Sequence, residues 1–224
     1  DEQDVRLGAA ATWSDIVKAD LPAAFEALKQ AARQVGGIQI QNAGTIAGNI
    51  CNASPAADGV PPLLALDAKV ELCSQDTGTR VLPLNEFITG VRQTVLKPDE
   101  LVSAVLIPPS PISMGSAFEK LGSRRYLVIS IAMTAANLLL GQDGRIEDVR
   151  IAVGSCSAVS QRLYALEKDL KGKTPQDVVV RKEHLAPLSP IDDVRGSGTY
   201  RLAVVQEQIC LLYTSDAADE VDRV

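Results

Sequence analysis

Aromatic residues are scarce in this chain: Phe, Trp and Tyr together supply 4% of its 224 residues, so its core has to be filled by Leu, Val, Ile and Ala. Histidine occurs once. His184 has no Cys or His partner at ligand spacing and reads as a solvated or capping residue. The four cysteines, Cys51, Cys73, Cys156 and Cys210, are dispersed with no C-x-x-C pair, which argues against a local zinc or iron–sulfur site, so no metal ligands are expected. A disulfide framework is not expected in a chain this long and apolar, and the thiols read as reduced, as in a cytoplasmic protein. Positive charge is not in excess. With 22 Lys and Arg against 28 Asp and Glu, the formal charge of −6 offers no attraction to nucleic acid or an anionic membrane. No apolar run approaches membrane-spanning length and no secretory signal opens the chain. The first residue is Asp1 rather than Met, so the natural N-terminus is expected upstream.

Several catalytic signatures are also missing. There is no G-x-G-x-x-G fingerprint, no Walker-type phosphate loop and no G-x-S-x-G elbow. Gly196-Ser-Gly198 comes nearest, but Arg201 stands where a third glycine belongs. No side chain presents itself as acid, base or nucleophile, so the catalytic set is empty. Any chemistry has to be carried by a bound cofactor.

What the chain does have is an ordinary globular composition, 46% hydrophobic and 22% charged, at a length suited to one large or two small domains. Val5 to Ala11 reads as a strand and Thr12 as the N-cap of a helix through Ile16 and Val17. Pro22 opens a second helix with Ala23, Ala27, Leu28, Ala31 and Val35 on one face, ended by Gly36-Gly37. Pro61-Pro62 opens a short helix. Lys69–Cys73 and Arg80–Leu82 form a hairpin, Leu84–Thr89 is a helical turn, and Leu101–Ile107 is a strand. The three prolines between Pro108 and Met114 mark a domain boundary. Beyond them Ser116–Leu121, Ile129–Leu140 and Ile146–Val153 read as strands, and helices follow at Arg162–Leu170, near Val178–Leu185, and after Gly198. Strands followed by helices make the second domain α+β. The segment from Cys210 to Glu220 looks like the translation of an adapter used in DNA library preparation. Residues 210–224 are therefore set apart, and the last helix is expected to end near Thr214.

From 38 to 58 simple periodicity is lost. Gly, Asn, Thr, Ser and Pro dominate, while Ile38, Ile40, Ile46 and Ile50 punctuate the stretch. It reads as an ordered, functional irregular segment. Its centre is Gln41-Asn-Ala-Gly-Thr-Ile-Ala-Gly-Asn-Ile50, followed by Asn52-Ala-Ser-Pro-Ala-Ala-Asp58. Gly44 and Gly48 allow close backbone approach or positive φ, and consecutive amides in such a turn form an anion-binding nest. Thr45 and Asn49 add side-chain donors, and Asp58 could accept from ribose hydroxyls. By spacing alone, a Gly-rich connection satisfying its own backbone fits these residues equally well.

Thr45-Ile-Ala-Gly-Asn49 and Ala53-Ser-Pro-Ala-Ala-Asp58 closely resemble the second FAD-binding segment of the flavoprotein subunits of molybdenum hydroxylases, the xanthine and carbon monoxide dehydrogenase family. Ala47 departs from that family's usual Thr-Ile-Gly-Gly-Asn. The likeness continues through Phe87-x-x-Gly90, Leu96-x-Pro98-Asp-Glu100, Ala117-Phe-Glu-Lys120, Asp193-x-Arg195 and Tyr200-Arg201. It implies an α+β architecture. Residues 1–109 would form the C-terminal part of a PCMH-type FAD-binding domain, and residues 110–209 a smaller domain like the C-terminal domain of CO dehydrogenase flavoprotein. The family's earlier glycine-rich FAD loop would lie upstream, so the residues present are expected to bind FAD weakly on their own and to be inactive alone.

The resemblance further implies that Gly44, Thr45, Ile46, Ala47, Gly48 and Asn49 contact the pyrophosphate or ribityl region. Ser54 belongs to the same set, Asp58 lies on the adenosine ribose side, Val102 packs near a ring, and Lys120 faces the cofactor. Val102 also fits simple core. Asp192, Asp193 and Arg195 read better as ties on the last helix, and Arg124-Arg125 as a solvated turn or a partner contact. The implied role is electron transfer from iron–sulfur clusters on a small subunit, through FAD, to NAD or another acceptor. Molybdopterin would sit on a large subunit. A stand-alone flavin-dependent oxidase and a non-catalytic scaffold of the same fold remain the alternatives.

Overall fold

The computed structural model describes residues 4–124 and 127–221, those from 213 onward as backbone only. Arg125 lies outside the described residues. The chain starts with β1 (Val5–Gly8), then α1 (Trp13–Lys18). Thr12 and Asp15 cap α1 reciprocally: the Asp15 amide donates to the Thr12 hydroxyl at 3.2 Å and the Thr12 amide to the Asp15 carboxylate at 2.9 Å. Pro22 precedes a 3-10 turn at Ala23–Phe25, and α2 (Glu26–Gln34) follows directly, burying Ala27, Leu28, Ala31 and Ala32.

The irregular stretch expected at 38–58 is in fact largely helical: α3 (Ile38–Ala43) and α4 (Ile46–Asn52), with a turn between them. Both helices are under two turns long, too short for a 3.6-residue apolar period to register in the sequence. α3 buries none of its residues. Gly48 lies inside α4, and it is Ala53, at the C-cap, that adopts a left-handed φ of +46°.

Next come α5 (Val60–Ala65), the hairpin β2 (Lys69–Ser74) and β3 (Gly78–Pro83), and α6 (Leu84–Phe87). A small ribbon of β4 (Ile88–Gly90) and β5 (Gln93–Thr94) leads to β6 (Glu100–Ile107). The first sheet has the order β1-β6-β2-β3 and is antiparallel throughout. Burial along β2 strictly alternates, as for a sheet with one face on a core and one toward water.

The second sheet is built from β7 (Gly115–Leu121), β8 (Ala132–Leu140), β9 (Ile146–Gly154) and β10 (Gln161–Arg162), in the order β10-β9-β8-β7 and again antiparallel. β8 begins three residues later than expected, because 129–131 cross from the loop to the sheet. α7 (Tyr164–Leu170) and α8 (Gly198–Val221) complete the fold. The helix expected near 178–185 is reduced to a 3-10 turn at Lys182–Leu185. α8 does not stop near Thr214 but continues to Val221, where Ala217, Ala218 and Glu220 favour helix.

β8 is buried on both faces, and its two polar residues are paired: the Thr134 hydroxyl donates to Gln208 at 2.9 Å and the Asn137 amino group to Ala24 O at 2.8 Å. Ala132, Ala136 and Leu138 face a core shared with Leu166 and Leu170 of α7 and Val205 and Ile209 of α8. Met133 and Ala135, with Phe118 of β7, face Ala27 and Ala31 of α2 and Ala65 of α5. The second sheet is thus a layer between its own helices and those of the first domain. Alanines at this seam let helix and sheet approach closely.

Candidate cofactor site

The turn between α3 and α4 is held from two sides. The Trp13 amide donates to Gly44 O at 3.1 Å, and the Ile46 amide to Ala11 O at 3.1 Å. Thr45 is the N-cap of α4: its hydroxyl accepts from the Gly48 amide at 3.0 Å, and its carbonyl from the Asn49 amide at 3.1 Å. The conformation is therefore a helix N-terminus rather than a left-handed nest. The cap engages the amides of Gly48 and Asn49, and the Ile46 amide is taken by Ala11 O. No acceptor for the Ala47 amide is found among the described residues.

The other donors named from the sequence keep spare capacity. The Thr45 hydroxyl accepts one bond and retains its own proton. Asn49 accepts at Oδ1 from the Gly59 amide at 3.3 Å, which fixes its orientation and leaves its amino group to donate elsewhere. Gly48 is exposed, and a Cβ there would lie 3.0 Å from the Thr45 hydroxyl. Ile46 is fully buried and contributes packing only through its side chain. Ser54 accepts from the Ala56 amide at 3.2 Å, shaping the turn that leads to Asp58.

Asp58 is buried and doubly engaged. Lys120 Nζ donates to Oδ2 at 2.6 Å, and the Ser130 hydroxyl to Oδ1 at 2.5 Å. Lys120 also donates to Gln34 O at 3.2 Å. Two residues expected to face a cofactor are thus paired with each other across the domain seam. Each carboxylate oxygen keeps a second lone pair. Val102 is buried against the core of the first domain, while the adjacent Leu101 is exposed. Strand alternation makes one of two successive residues face solvent, and the sequence does not say which.

The sequence offered no signal for Ser130 or Gln34, which join the site only through contacts 72 and 86 residues long. It also gave none for an apolar surface beside it. Ile38, Ile40, Leu127 and Ile129 are all more than half exposed. Leu127 closes on Gly37, where an added Cβ would lie 3.2 Å from its Cδ2.

The remaining motifs have structural roles. Asp192 accepts from the Gly198 amide at 2.5 Å and starts α8, while Asp193 bridges Arg195 and Arg201 at 2.6 and 2.7 Å. Arg201 is buried and also donates to Ile131 O and Ser155 O. His184 is buried rather than solvated, and its Nδ1 caps a 3-10 turn by accepting from the Arg181 amide at 3.1 Å. None of the four cysteines is in a disulfide, and burial pushes the Cys156 thiol up to about 12. Among the described residues no group of His, Cys, Asp and Glu could hold a metal ion, and no helix is long and apolar enough to cross a membrane. Two clefts, of about 230 and 520 Å³, lie elsewhere, sharing Leu64, Asn85, Arg162 and Tyr164 in their walls. Arg162 there is already tied to Glu167 and Asp67 at 2.6 and 2.7 Å.

Comparison with known proteins agrees with the motif rather than with the clefts. Residues 1–110 match the FAD binding domain in molybdopterin dehydrogenase, and residues 116–214 the CO dehydrogenase flavoprotein C-terminal domain. The chain is 31% identical to the xanthine dehydrogenase FAD-binding subunit of Escherichia coli O157:H7, over 92% of this chain and 72% of that protein. It is 34% identical to the nicotine 6-hydroxylase medium subunit of Paenarthrobacter nicotinovorans, over the same shares. The solved carbon monoxide dehydrogenase from Hydrogenophaga pseudoflava contains a chain that superposes with a TM-score of 0.85 at 25% identity, covering 97% of this chain and 76% of that one. Donors that remain free on a capped helix start, beside an anchored carboxylate, suit a dinucleotide, and with these matches the chain belongs to the FAD-binding oxidoreductase subunits of the molybdenum hydroxylase family.

Proposed function

We propose that this subunit holds FAD along the segment from Gly44 to Asp58 and serves as the electron exit of a molybdenum hydroxylase. The observation that carries the reading is the free donor set at the start of α4. The Thr45 hydroxyl proton, the Ala47 amide and the Asn49 amino group stand around an exposed Gly48, which has no side chain to obstruct a pyrophosphate. Asp58, steadied by Lys120 and Ser130, would accept from the adenosine ribose. The exposed apolar surface of Ile38, Ile40, Leu127 and Ile129 would shield one face of the isoalloxazine ring from water. When bound, FAD supplies the ability to collect electrons singly and release them as a pair. The protein's own task is to bind, orient and exclude water. The electron source would be iron–sulfur clusters on a small partner subunit, with molybdopterin on a large one oxidising the organic substrate and NAD or another acceptor taking the electrons, in a cytoplasmic assembly.

A stand-alone oxidase that tethers its flavin through histidine is disfavoured, since His184 is buried and committed to its cap. The test is FAD retention by the assembled flavoprotein. Gly48→Val should abolish it, and Asn49→Ala should weaken it about tenfold, the scale of one lost hydrogen bond to a charged group. Retention of full flavin absorbance by Gly48→Val would refute the assignment.

A further inference from the structure

We propose that Ser130 is a positioning residue for the cofactor, acting through Asp58 without touching the ligand itself. The proposal rests on the reading that Asp58 meets the adenosine ribose. Ser130 is fully buried, and its hydroxyl donates to Asp58 Oδ1 at 2.5 Å while Lys120 holds Oδ2 at 2.6 Å. The carboxylate is thus clamped at both oxygens from the second domain. A carboxylate on its own turns freely about its last torsion, where the energy wells are broad. With both oxygens held, only the outward lone pairs remain for a ligand, and their direction is set.

Ser130 is itself held in place. The Ile131 amide donates to Leu121 O at 2.7 Å, and Ile131 O accepts from the buried Arg201. A line of contacts therefore runs from α8 through Arg201, the Ile131 peptide and Ser130 to Asp58. A hydroxyl suits this position because it adds a donor without adding charge, so the Asp58–Lys120 pair stays balanced. A second cation would leave a surplus in a buried site.

The test uses the complete flavoprotein stripped of flavin and titrated with FAD, and with an FAD analogue whose adenosine carries a 2′,3′-dideoxyribose. Ser130→Ala is expected to weaken FAD about tenfold, to weaken the dideoxy analogue far less, and to cause no added loss in an Asp58→Asn background, while Ser130→Thr restores binding. The melting temperature of the flavin-free variant separates this from loss of folding. If Asp58→Asn weakens FAD but Ser130→Ala does not, or if Ser130→Ala weakens both ligands alike, the role of Ser130 is overturned and the FAD reading stands. If Asp58→Asn leaves FAD binding unchanged, the ribose assignment of Asp58 falls, and the proposal with it.

Discussion

Lys120 Nζ lies 2.6 Å from Asp58 Oδ2, with about a tenth or less of either side chain reaching solvent, so an ion pair is buried at the seam between the two domains. The pair does two things at once. It ties β7 to the loop ahead of α5, and it presents a carboxylate whose charge is already balanced. Lys120→Met would strand Asp58 without its counter-charge, and breaking a buried pair from one side costs about 3–5 kcal/mol. Urea unfolding of the flavin-free protein should show a loss of that order. The double variant Lys120→Met with Asp58→Asn should lose less than the two single losses added together. Additive losses would mean that the two residues do not act as a pair.

Arg201 predicts a second large effect. Its guanidinium is buried and donates to Ile131 O, to Ser155 O at 3.1 Å and to Asp193 at 2.7 Å. Arg201→Leu would leave two buried carbonyls without their donor and strip Asp193 of one of its two arginines, Arg195 remaining, a loss of about 3–5 kcal/mol by the same reasoning. A shift in urea midpoint equivalent to under about 1 kcal/mol, the range of an ordinary surface ion pair, would contradict this account.

Acid should destabilise the protein within a definite window. Asp193 is held down to about 2, chiefly by the side-chain hydrogen bond from Arg195, with the Arg195 amide and the charges of Arg195 and Arg201 adding to it. Glu100 is likewise held to about 2, chiefly by the hydrogen bond from Arg80, with the Lys97 amide second. Both carboxylates are depressed in the folded state, so their contribution is complete above the unfolded value of about 4 and is lost as pH falls from about 4 to about 2. The melting temperature should be level from neutral pH down to about 5 and fall steeply below about 4. Glu100→Gln should lower the plateau and flatten that fall. An unchanged slope in this variant would remove Glu100 from the explanation.

Much of the architecture was legible because local chemistry wrote it. The Thr12 cap, the β2–β3 hairpin and the turn joining β8 to β9 each rest on residues close in sequence, and each appears where expected; the reciprocal bond from Asp15 was added by the structure. The helices α3 and α4 were not legible. Each is under two turns, α3 buries nothing, and the glycines and asparagines that end or cap them look the same as those of a loop.

The sequence by itself determined the family, because Thr45-Ile-Ala-Gly-Asn49 and Ala53-Ser-Pro-Ala-Ala-Asp58 are contiguous and specific enough to be read as they stand. Only the tertiary structure decided that Asp58 and Lys120 meet, that Ser130 and Gln34 complete their shell, and that Val102 is buried while Leu101 is exposed. Those outcomes depend on how the second sheet settles on α2 and α5. Close packing of Ala27, Ala31 and Ala65 against Phe118, Met133 and Ala135 fixes that distance, and no local pattern encodes it.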